Sequence, residues 1–300
     1  MLERESRRSL RENVVALSGH FFHNVGVGRR LAPHAVDLRS KLTLVALASA
    51  LQVKQRTPWR RATVPVDVNI GGVVRRVHVG ALTDLEVMVE VLDRGEYDEL
   101  PCADAEVIVD LGAHVGLATL RLLAANPSAH VIAVEPDPFL IDQLRANVSG
   151  LPVTVVHAAI AEQPGERTLY RSDTFSWANS LECVMPVQVP VSVRAMTFDE
   201  LLDSCSCAHV DLLKVDIEGA EWSLFSRGLP ARAQSVIGEV HARGGREPHE
   251  LVDLLTAHGL TVEIGRASPK ELTFRASRSA RPTPPLLADS APRQAFAKGS

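Results

Sequence analysis

The sequence predicts an α/β protein whose core is a mostly parallel β-sheet covered by helices on both faces. Apolar runs of strand length alternate with helix-forming segments through most of the chain, and strands that are apolar throughout are typical of a parallel sheet buried on both faces. The run 106–111 is followed by a turn with Gly112 and Gly116, and the run 130–135 ends in an acid. A glycine turn between strand and helix, with an acid closing the next strand, is typical of a nucleotide-binding βαβ unit.

Local patterns predict the remaining elements. Period-two alternation over 64–70 breaks at Gly71-Gly72 and resumes over 73–79, which predicts a β-hairpin. Thr83 or Asp84 is expected to cap a helix over 85–95 that packs over the open side of the ligand pocket. We then expect, in chain order, strand 106–111, helix 116–126, strand 130–135, helix 137–148, strand 153–158, strands near 166–171 and 187–194, helix 197–204, strand 210–216, helix 219–226, strand 234–240, helix 247–258 and a closing pair near 260–264 and 270–275.

The two ends of the chain differ in character from this core. Helical periodicity over residues 1–57 predicts two or three helices, with apolar positions at Leu10, Val14, Leu17 and Phe21 and a second apolar segment over 42–51. From Arg278 onward prolines stand among Ser, Ala and Arg, and too little apolar material remains for packing, so we expect a disordered tail. The chain is therefore divided into a helical extension (1–63), a hairpin with its cover helix (64–100), an α/β domain (101–276) and a tail (277–300).

Composition excludes several classes of protein. A net charge of −4 gives no field that would attract nucleic acid, and the local arginine clusters are expected to be solvated faces. The four cysteines have no metal-binding or disulfide spacing. The charged N-terminus lacks an apolar signal core and the apolar stretch 42–53 is too short to cross a bilayer, so we expect a cytoplasmic protein without a membrane anchor. The oligomeric state stays open.

The spacing of the glycines in the first turn indicates the ligand. Gly112 and Gly116 form Gly-x-x-x-Gly, whereas pyrophosphate binders carry Gly-x-Gly-x-x-Gly. With fewer glycines there is less exposed backbone to hold two phosphates. The turn therefore favours a ligand with adenosine and ribose but no pyrophosphate, and S-adenosylmethionine (SAM) meets that description.

A downstream segment makes the prediction more specific. Leu-Leu-Lys-Val-Asp-Ile-Glu-Gly-Ala-Glu, residues 212–221, resembles the signature of the FkbM family of SAM-dependent methyltransferases. The resemblance covers about 64–275, with two departures: Phe198 stands where the family usually has Leu, and His114 where it commonly has Asn. Five further segments agree with it, namely the turn 110–116, Val-Glu-Pro-Asp-Pro at 134–138, Asn-Ser-Leu at 179–181, the helix entry Met-Thr-Phe-Asp-Glu-Leu at 196–201 and Gly-Glu-Val-His at 238–241. The resemblance implies a class I, Rossmann-like fold with seven strands, the last of them antiparallel.

Ligands of open α/β sheets bind beyond the carboxyl ends of the strands, and four acids are expected there: Asp110, Glu135, Asp216 and Glu239. We expect the methionine end of SAM to be held by Asp110 and the turn residues Gly112, Ala113, His114 and Gly116. Glu135 is expected to bind the ribose hydroxyls, with a helix-capping role as the alternative. Asp137 is a secondary contact or a helix N-terminal acid, and Ala159 with its neighbours Ala158 and Ile160 either lines the adenine or belongs to the core.

Catalysis needs an oriented acceptor and a group that takes its proton. Asp216 is expected beside the reacting methyl, and Lys214 shares its side of the strand, where the two either pair or bind the acceptor. His241, assisted by Glu239, is the candidate base, the alternative being a histidine satisfied at the strand end. Residues Asn179, Ser180 and Glu218 are candidate substrate contacts, and a structural role for Glu218 or Glu221 is equally open.

The sequence thus predicts SAM-dependent O-methylation of a small-molecule hydroxyl, on a polyketide, glycoside or other secondary metabolite. A nucleotide-sugar or glycolipid sugar hydroxyl is the alternative acceptor, and an NAD-dependent oxidoreductase the alternative outside the transferases. Asp216, Glu218 and Glu239 offer the hard oxygen ligands of a magnesium site, but the resemblance implies no metal and we expect none.

Overall fold

The computed structural model describes residues 26–54, 62–100, 104–172, 179–181 and 188–278. A 3₁₀ helix at Ala32–His34 and a π-helix at Val89–Asp93 supplement the regular elements. In chain order these are α1 (26–31), α2 (Leu38–Lys54), β1 (Val64–Ile70), β2 (Val73–Val79), α3 (Leu82–Met88), β3 (Val107–Leu111), α4 (Leu117–Ala125), β4 (His130–Glu135), α5 (Ile141–Asn147), β5 (Val153–His157), β6 (Ala159–Ile160), β7 (Gly165–Arg171), β8 (Val189–Met196), α6 (Phe198–Ser204), β9 (Val210–Val215), α7 (Glu221–Leu224), β10 (Ala233–His241), α8 (Pro248–Ala257), β11 (Leu260–Ala267) and β12 (Glu271–Arg278).

The centre is a seven-stranded sheet in the order β11-β12-β10-β9-β3-β4-β5. Strand β12 runs antiparallel to β10 and β11, and the other neighbouring pairs are parallel. The predicted fold class is confirmed, including the antiparallel strand of the closing pair and the N-terminal helical extension. The chain order reverses direction between β3 and β9, which creates a crevice at their carboxyl ends.

Side chains alternate between the two faces of this sheet and build two cores. Ile108 and Leu212 face a core that contains α4, α5 and the N-terminal elements. Val109 and Leu213, one position further on, face a second core with α6 and α8. Because both faces are covered, the strands are apolar throughout, which is why the alternation with helices was readable in the sequence.

The N-terminal elements cover one edge of the crevice. The predicted hairpin is present, and its turn uses Gly71 and Gly72 at φ +57° and +87°. The apolar segment 42–51 lies in α2, as expected. The predicted cap of the cover helix is wrong: α3 begins after Ala81, and Asp84 instead accepts the backbone N–H groups of Gly80 and Ala81 at 2.7 and 3.0 Å.

The region after β5 contains a small second sheet, in which the strands predicted near 166–171 and 187–194 are present as β7 and β8 and only β6 was not predicted. Strand β5 ends at His157, and β6 joins β8 and β7 in the order β6-β8-β7. A two-residue strand such as β6 carries no periodic signal, which explains its assignment to a longer β5. The helix predicted over 219–226 is also shorter, because α7 has a single turn.

Several expectations fall on residues outside the described ranges. They are the helix with Leu10, Val14, Leu17 and Phe21, the tail from residue 279, and the cysteines Cys102 and Cys183. Cys205 and Cys207 are free thiols. In the part of the chain that the structure covers, no helix combines the length and apolar character required to cross a bilayer.

Candidate active site

A cavity of about 480 Å³ opens at the carboxyl ends of β3, β4, β9 and β10, a volume within the range of small-molecule sites. Its walls include the turn after β3, the end of β4, the start of β6, and the residues that follow β9. Of the predicted site residues, those on its wall are Gly112, Ala113, His114, Glu135, Ala159, Asn179, Ser180, Lys214, Asp216, Glu218, Glu239 and His241.

The turn after β3 is fixed by its neighbours on both sides. Gly112 and Ala113 donate their backbone N–H groups to the Val134 carbonyl, both at 3.0 Å. Gly112 has φ +77°, and a Cβ built on it would lie 1.8 Å from the Asp216 carbonyl oxygen. Only glycine therefore allows the ends of β3 and β9 to approach this closely.

Gly116, in contrast, does not reach the cavity. It precedes α4 at φ +90°, and a Cβ there would lie 2.8 Å from Leu144 Cδ1 on α5. The contact of Gly116 with SAM therefore stays a prediction that the cavity wall does not support. Gly116 allows α4 to pack closely against α5. The Gly-x-x-x-Gly spacing in the sequence does not show whether a glycine serves such packing or contacts a ligand.

Glu135 ends β4 and presents its carboxylate to the cavity. Oε2 accepts the His114 backbone N–H and Oε1 accepts that of Asp137, both at 2.8 Å. Each carboxylate oxygen has a second acceptor site, so the group has room for a diol. Burial raises the pKa of Glu135 to about 7.

Asp110 lies beneath the cavity and does not line its wall, and its contact with SAM stays a prediction. Its side chain is fully buried, with Oδ1 3.1 Å from Lys214 Nζ and Oδ2 accepting the Thr119 hydroxyl at 2.6 Å. Lys214 also donates to the Leu111 and Gly112 carbonyls at 3.3 and 2.9 Å. Lys214 thus pairs with Asp110, whereas the sequence had favoured Asp216.

The ammonium of Lys214 stays charged in this buried setting. Burial opposes the charge, but Asp110 and Asp216 together raise the pKa of Lys214 above its ordinary value. A protonated lysine whose donors are directed to Asp110 and to the turn after β3 positions that turn. It is not suited to remove a proton.

Asp137 is also buried away from the cavity. Oδ2 accepts Arg171 Nε at 2.9 Å and Asn179 Nδ2 at 2.8 Å, and Oδ1 accepts the Phe139 N–H at 2.9 Å. Of the two roles predicted for Asp137, these contacts fit the acid near a helix start better than a secondary contact with adenosine. The group ties the second sheet and segment 179–181 to the end of β4.

Asn179 and Ser180 lie on the cavity wall, but their side chains have partners within the fold. Asn179 Oδ1 accepts the Ser172 N–H at 2.8 Å, and Ser180 Oγ donates to the Glu218 carbonyl at 2.7 Å. The nearby Phe175 and Trp177, expected as pocket walls or loop anchors, lie outside the described residues.

The turn after β9 carries the acids of the signature segment. Asp216 donates its N–H to the Leu111 carbonyl at 3.1 Å, and its side chain reaches the cavity. Glu218 lies in the turn before α7 with φ +51°. Burial, with Asp216, Glu221 and Glu239 nearby, raises the pKa of Glu218 to about 8, although His241 opposes this.

His241 lies between two carboxylates. Its Nδ1 is 3.2 Å from Glu221 Oε1 and its Nε2 is 3.6 Å from Glu218 Oε2. Burial opposes protonation, but the hydrogen bond to Glu221 and the charge of Glu218 raise the pKa of His241 to about 10. The raised pKa keeps the imidazole protonated near neutral pH, which disfavours His241 as the general base predicted from the sequence.

Asp216, Glu239 and His241 converge at one point of the wall, with a ligating atom of each within 4.8 Å of the others. Burial and the charge of Asp216 raise the pKa of Glu239 to about 8, against the effect of His241. Oxygen and imidazole groups in this arrangement are able to hold a divalent cation. The magnesium set considered from the sequence differed, because it contained Glu218 in place of His241.

Sequence reasoning missed the residues that the N-terminal elements bring to the cavity. Glu90 of the π-helix, Glu96 and the buried Tyr97 all line it. Glu96 is held by Arg266 of β11 at 3.0 Å. Burial raises the pKa of Glu90 to about 7 and also raises that of Glu96. No local sequence motif identifies these residues. The sequence did predict that the helix over 85–95 packs over the pocket, which indicated this part of the chain but not the individual side chains.

The residues present fit SAM. Glu135 matches a ribose diol, Leu111, Val134 and Ala158–Ile160 supply apolar wall for a base, and acids near the end of β9 suit a ligand with positive charge. The sheet order and a cavity at the β3–β9 reversal define a class I SAM-dependent methyltransferase fold.

The family model of the methyltransferase FkbM domain matches residues 110–261. The chain belongs to this family, and it is a methyltransferase. Methyltransferase 1 of Beauveria bassiana is 29% identical over 167 residues, 48% of this chain and 66% of that protein. Hexuronic acid methyltransferase AglP of Haloferax volcanii is 25% identical over 69% of this chain and 86% of its own length. The 31-O-demethyl-FK506 methyltransferase FkbM of Streptomyces tacrolimicus is 25% identical over 52% of this chain and 73% of its own.

Proposed function

We propose that this protein transfers a methyl group from SAM to a hydroxyl of a small molecule. The observation that carries the proposal is the convergence of Asp216, Glu239 and His241 on a cavity wall that also contains the turn after β3. Bound SAM would supply the methyl group on a positively charged sulfur. Glu135 would hold the ribose, and Ala159 with its neighbours would contact the base.

The acceptor hydroxyl would be oriented by Asp216 and would lose its proton to Glu239. Both carboxylates reach the cavity, and a carboxylate whose pKa lies near the working pH is an effective general base. His241, held in its protonated form by Glu221 and Glu218, stabilises negative charge beside them. We thus replace the histidine base expected from the sequence with Glu239.

The charge of the cavity bears on the acceptor class. Acids such as Glu90, Glu96, Asp216, Glu218 and Glu239 outnumber the basic side chains Arg30, Arg94, Lys214 and Arg266 on its wall. Above pH 8, where Glu218 and Glu239 are ionised, an anionic acceptor would be repelled by this excess of acids. A neutral hydroxyl of a polyketide, glycoside or related metabolite is therefore favoured over a nucleotide-sugar with its diphosphate. Of the similar proteins, one is named for 31-O-demethyl-FK506 and another for a hexuronic acid, so the names of the relatives do not by themselves decide the acceptor class.

An NAD-dependent oxidoreductase is the weaker alternative. The first turn lacks the glycine that lets the backbone approach a pyrophosphate. The acids on the cavity wall would also oppose the two phosphates of NAD.

The proposal is tested by incubating the protein with methyl-labelled SAM and three acceptor panels: neutral macrolide and glycoside alcohols, nucleotide-sugars, and hexuronic acids. S-adenosylhomocysteine is measured together with labelled product. We expect transfer to the neutral alcohols and none after Glu239→Gln. Transfer confined to an anionic panel would overturn the acceptor class. If activity is lost with EDTA and restored by Mg²⁺, the reaction needs a metal ion and the metal-free mechanism proposed above is wrong.

A further inference from the structure

Glu221 is a buried carboxylate with three partners, and only its contact with His241 has been used above. It is the first residue of α7, and its side chain is fully buried behind the cavity wall. Oε2 accepts the Gly219 N–H at 2.8 Å, and Oε1 accepts the Ile217 N–H at 3.2 Å. Oε1 also lies 3.2 Å from His241 Nδ1. One carboxylate therefore holds both a turn and an imidazole.

The turn that Glu221 holds has an unfavourable backbone conformation. Glu218 and Gly219 have φ +51° and +104°, and the left-handed region is costly for a residue with a Cβ. Gly219, at φ +104°, has a conformation that residues with a Cβ rarely adopt, and a Cβ there would also displace the Arg243 guanidinium. Such conformations persist where the surroundings enforce them, and they are common at functional sites.

The carbonyl of Glu218 is held from the other side. It accepts the Ser180 hydroxyl at 2.7 Å and a hydrogen bond from Arg243 Nη2. The result is that the Glu218 carboxylate lies on the cavity wall, 3.6 Å from Nε2 of His241. Glu221 thus fixes Glu218 through the backbone and His241 through the ring.

We propose that Glu221 is a positioning residue for methyl transfer, which keeps Nε2 of His241 and the carboxylate of Glu218 directed at the acceptor site. The inference rests on the proposed function and adds a residue to it. When Nδ1–H of His241 donates to Glu221, the ring is fixed in orientation and only Nε2 is left to face Glu218 and the cavity.

Several charged groups surround His241 besides Glu221. Glu218 faces it from the turn, Asp216 from the end of β9, and Glu239 from its own strand. Glu271 is its direct neighbour across the antiparallel β10–β12 pair. Because the other four carboxylates remain when Glu221 is changed, the effect of the substitution isolates the buried contact.

The test compares Glu221→Gln, Glu221→Ala and the control Glu200→Gln. Glu200 is also a carboxylate in the first turn of a helix, where it accepts the Thr197 N–H at 2.9 Å, but it lies outside the cavity wall. For each variant we would record ¹⁵N spectra of the histidine rings across pH, SAM binding by calorimetry, and methyl transfer to the acceptor found in the panels.

For Glu221→Gln we expect near-normal SAM affinity, a lower pH midpoint for the His241 ring, and turnover reduced about tenfold or more, since a small displacement of reacting groups has a large effect. Glu200→Gln should match the wild type in all three. If Glu221→Ala does not fold, Glu221→Gln decides the matter. A Glu221→Gln protein with unchanged turnover and an unchanged His241 midpoint would overturn the positioning role. Failure of the wild type to bind SAM would instead refute the proposed function.

Discussion

Asp110 and Lys214 are direct neighbours across the parallel strands β3 and β9, and their side chains form an ion pair of 3.1 Å beneath the cavity. Lys214 is 2% exposed and Asp110 is fully buried. Since Lys214 also donates to the carbonyls of Leu111 and Gly112, the pair joins the sheet to the turn at the cavity wall. Asp110 of β3 and Lys214 of the signature segment therefore form one structural unit.

Lys214→Ala should destabilise the protein by about 3–5 kcal/mol, because it leaves a buried carboxylate without its cation. The free energy of unfolding in urea measures this. Asp142→Ala is the control: it removes the exposed pair with Arg145, whose atoms are 3.8 Å apart, and should change stability by less than about 1 kcal/mol. Equal losses in the two variants would contradict a structural role for the buried pair.

Gly112→Ala should lower stability more than Gly150→Ala. The two glycines have φ +77° and +74°, so the conformational penalty is similar, but a Cβ on Gly150 meets no heavy atom within 4 Å. Gly150→Ala isolates that penalty, about 1–2 kcal/mol. The extra loss in Gly112→Ala, measured in the same urea titration, reports the clash with the Asp216 carbonyl. If both variants lose the same free energy of unfolding, Gly112 has no clash with the Asp216 carbonyl, and the ends of β3 and β9 do not approach this closely.

The sequence predicted most of the central sheet because its signals are local. Buried parallel strands are apolar along their length, so β3, β4, β9 and β10 were recognisable, as were the glycines that follow β3. The pairing of Asp110 with Lys214 was missed because period two shows which side of a strand a residue faces, but not its neighbour on the next strand.

The candidate site was predicted in location more than in chemistry. Asp216, Glu239 and His241 do meet, because strand ends of a parallel sheet share one edge. The charge state of His241 depends on Glu221 and Glu218, which approach it through tertiary contacts. Likewise Glu90 and Glu96 reach the cavity only because the segment after α3 folds over it.

Methyl transfer should rise with pH through a midpoint of about 8 and level off about one unit above it. Glu239 must be ionised to take a proton, and its pKa is raised to about 8. The rate should fall again only as His241 loses its proton, near pH 10. A pH–rate profile checks this. A rise centred on the ordinary histidine value, about 6.5, that disappears in His241→Asn would restore the histidine as base.

Glu135→Ala should weaken SAM binding while the protein still folds. Hydrogen bonds to a charged group contribute roughly 1.5–3 kcal/mol each, so the loss corresponds to about tenfold or more in Kd. Glu162→Ala, at an exposed position after β6, is the matched control. A Kd for Glu135→Ala equal to that of the control would remove Glu135 from the ligand site.

The most direct test of the account is isothermal titration of the full chain with SAM and, separately, with NAD. A cavity built around Glu135 and the Gly112 turn predicts saturable binding of SAM at one site per chain and no detectable binding of NAD. Binding of NAD in preference to SAM, or the absence of SAM binding by folded protein, would contradict it.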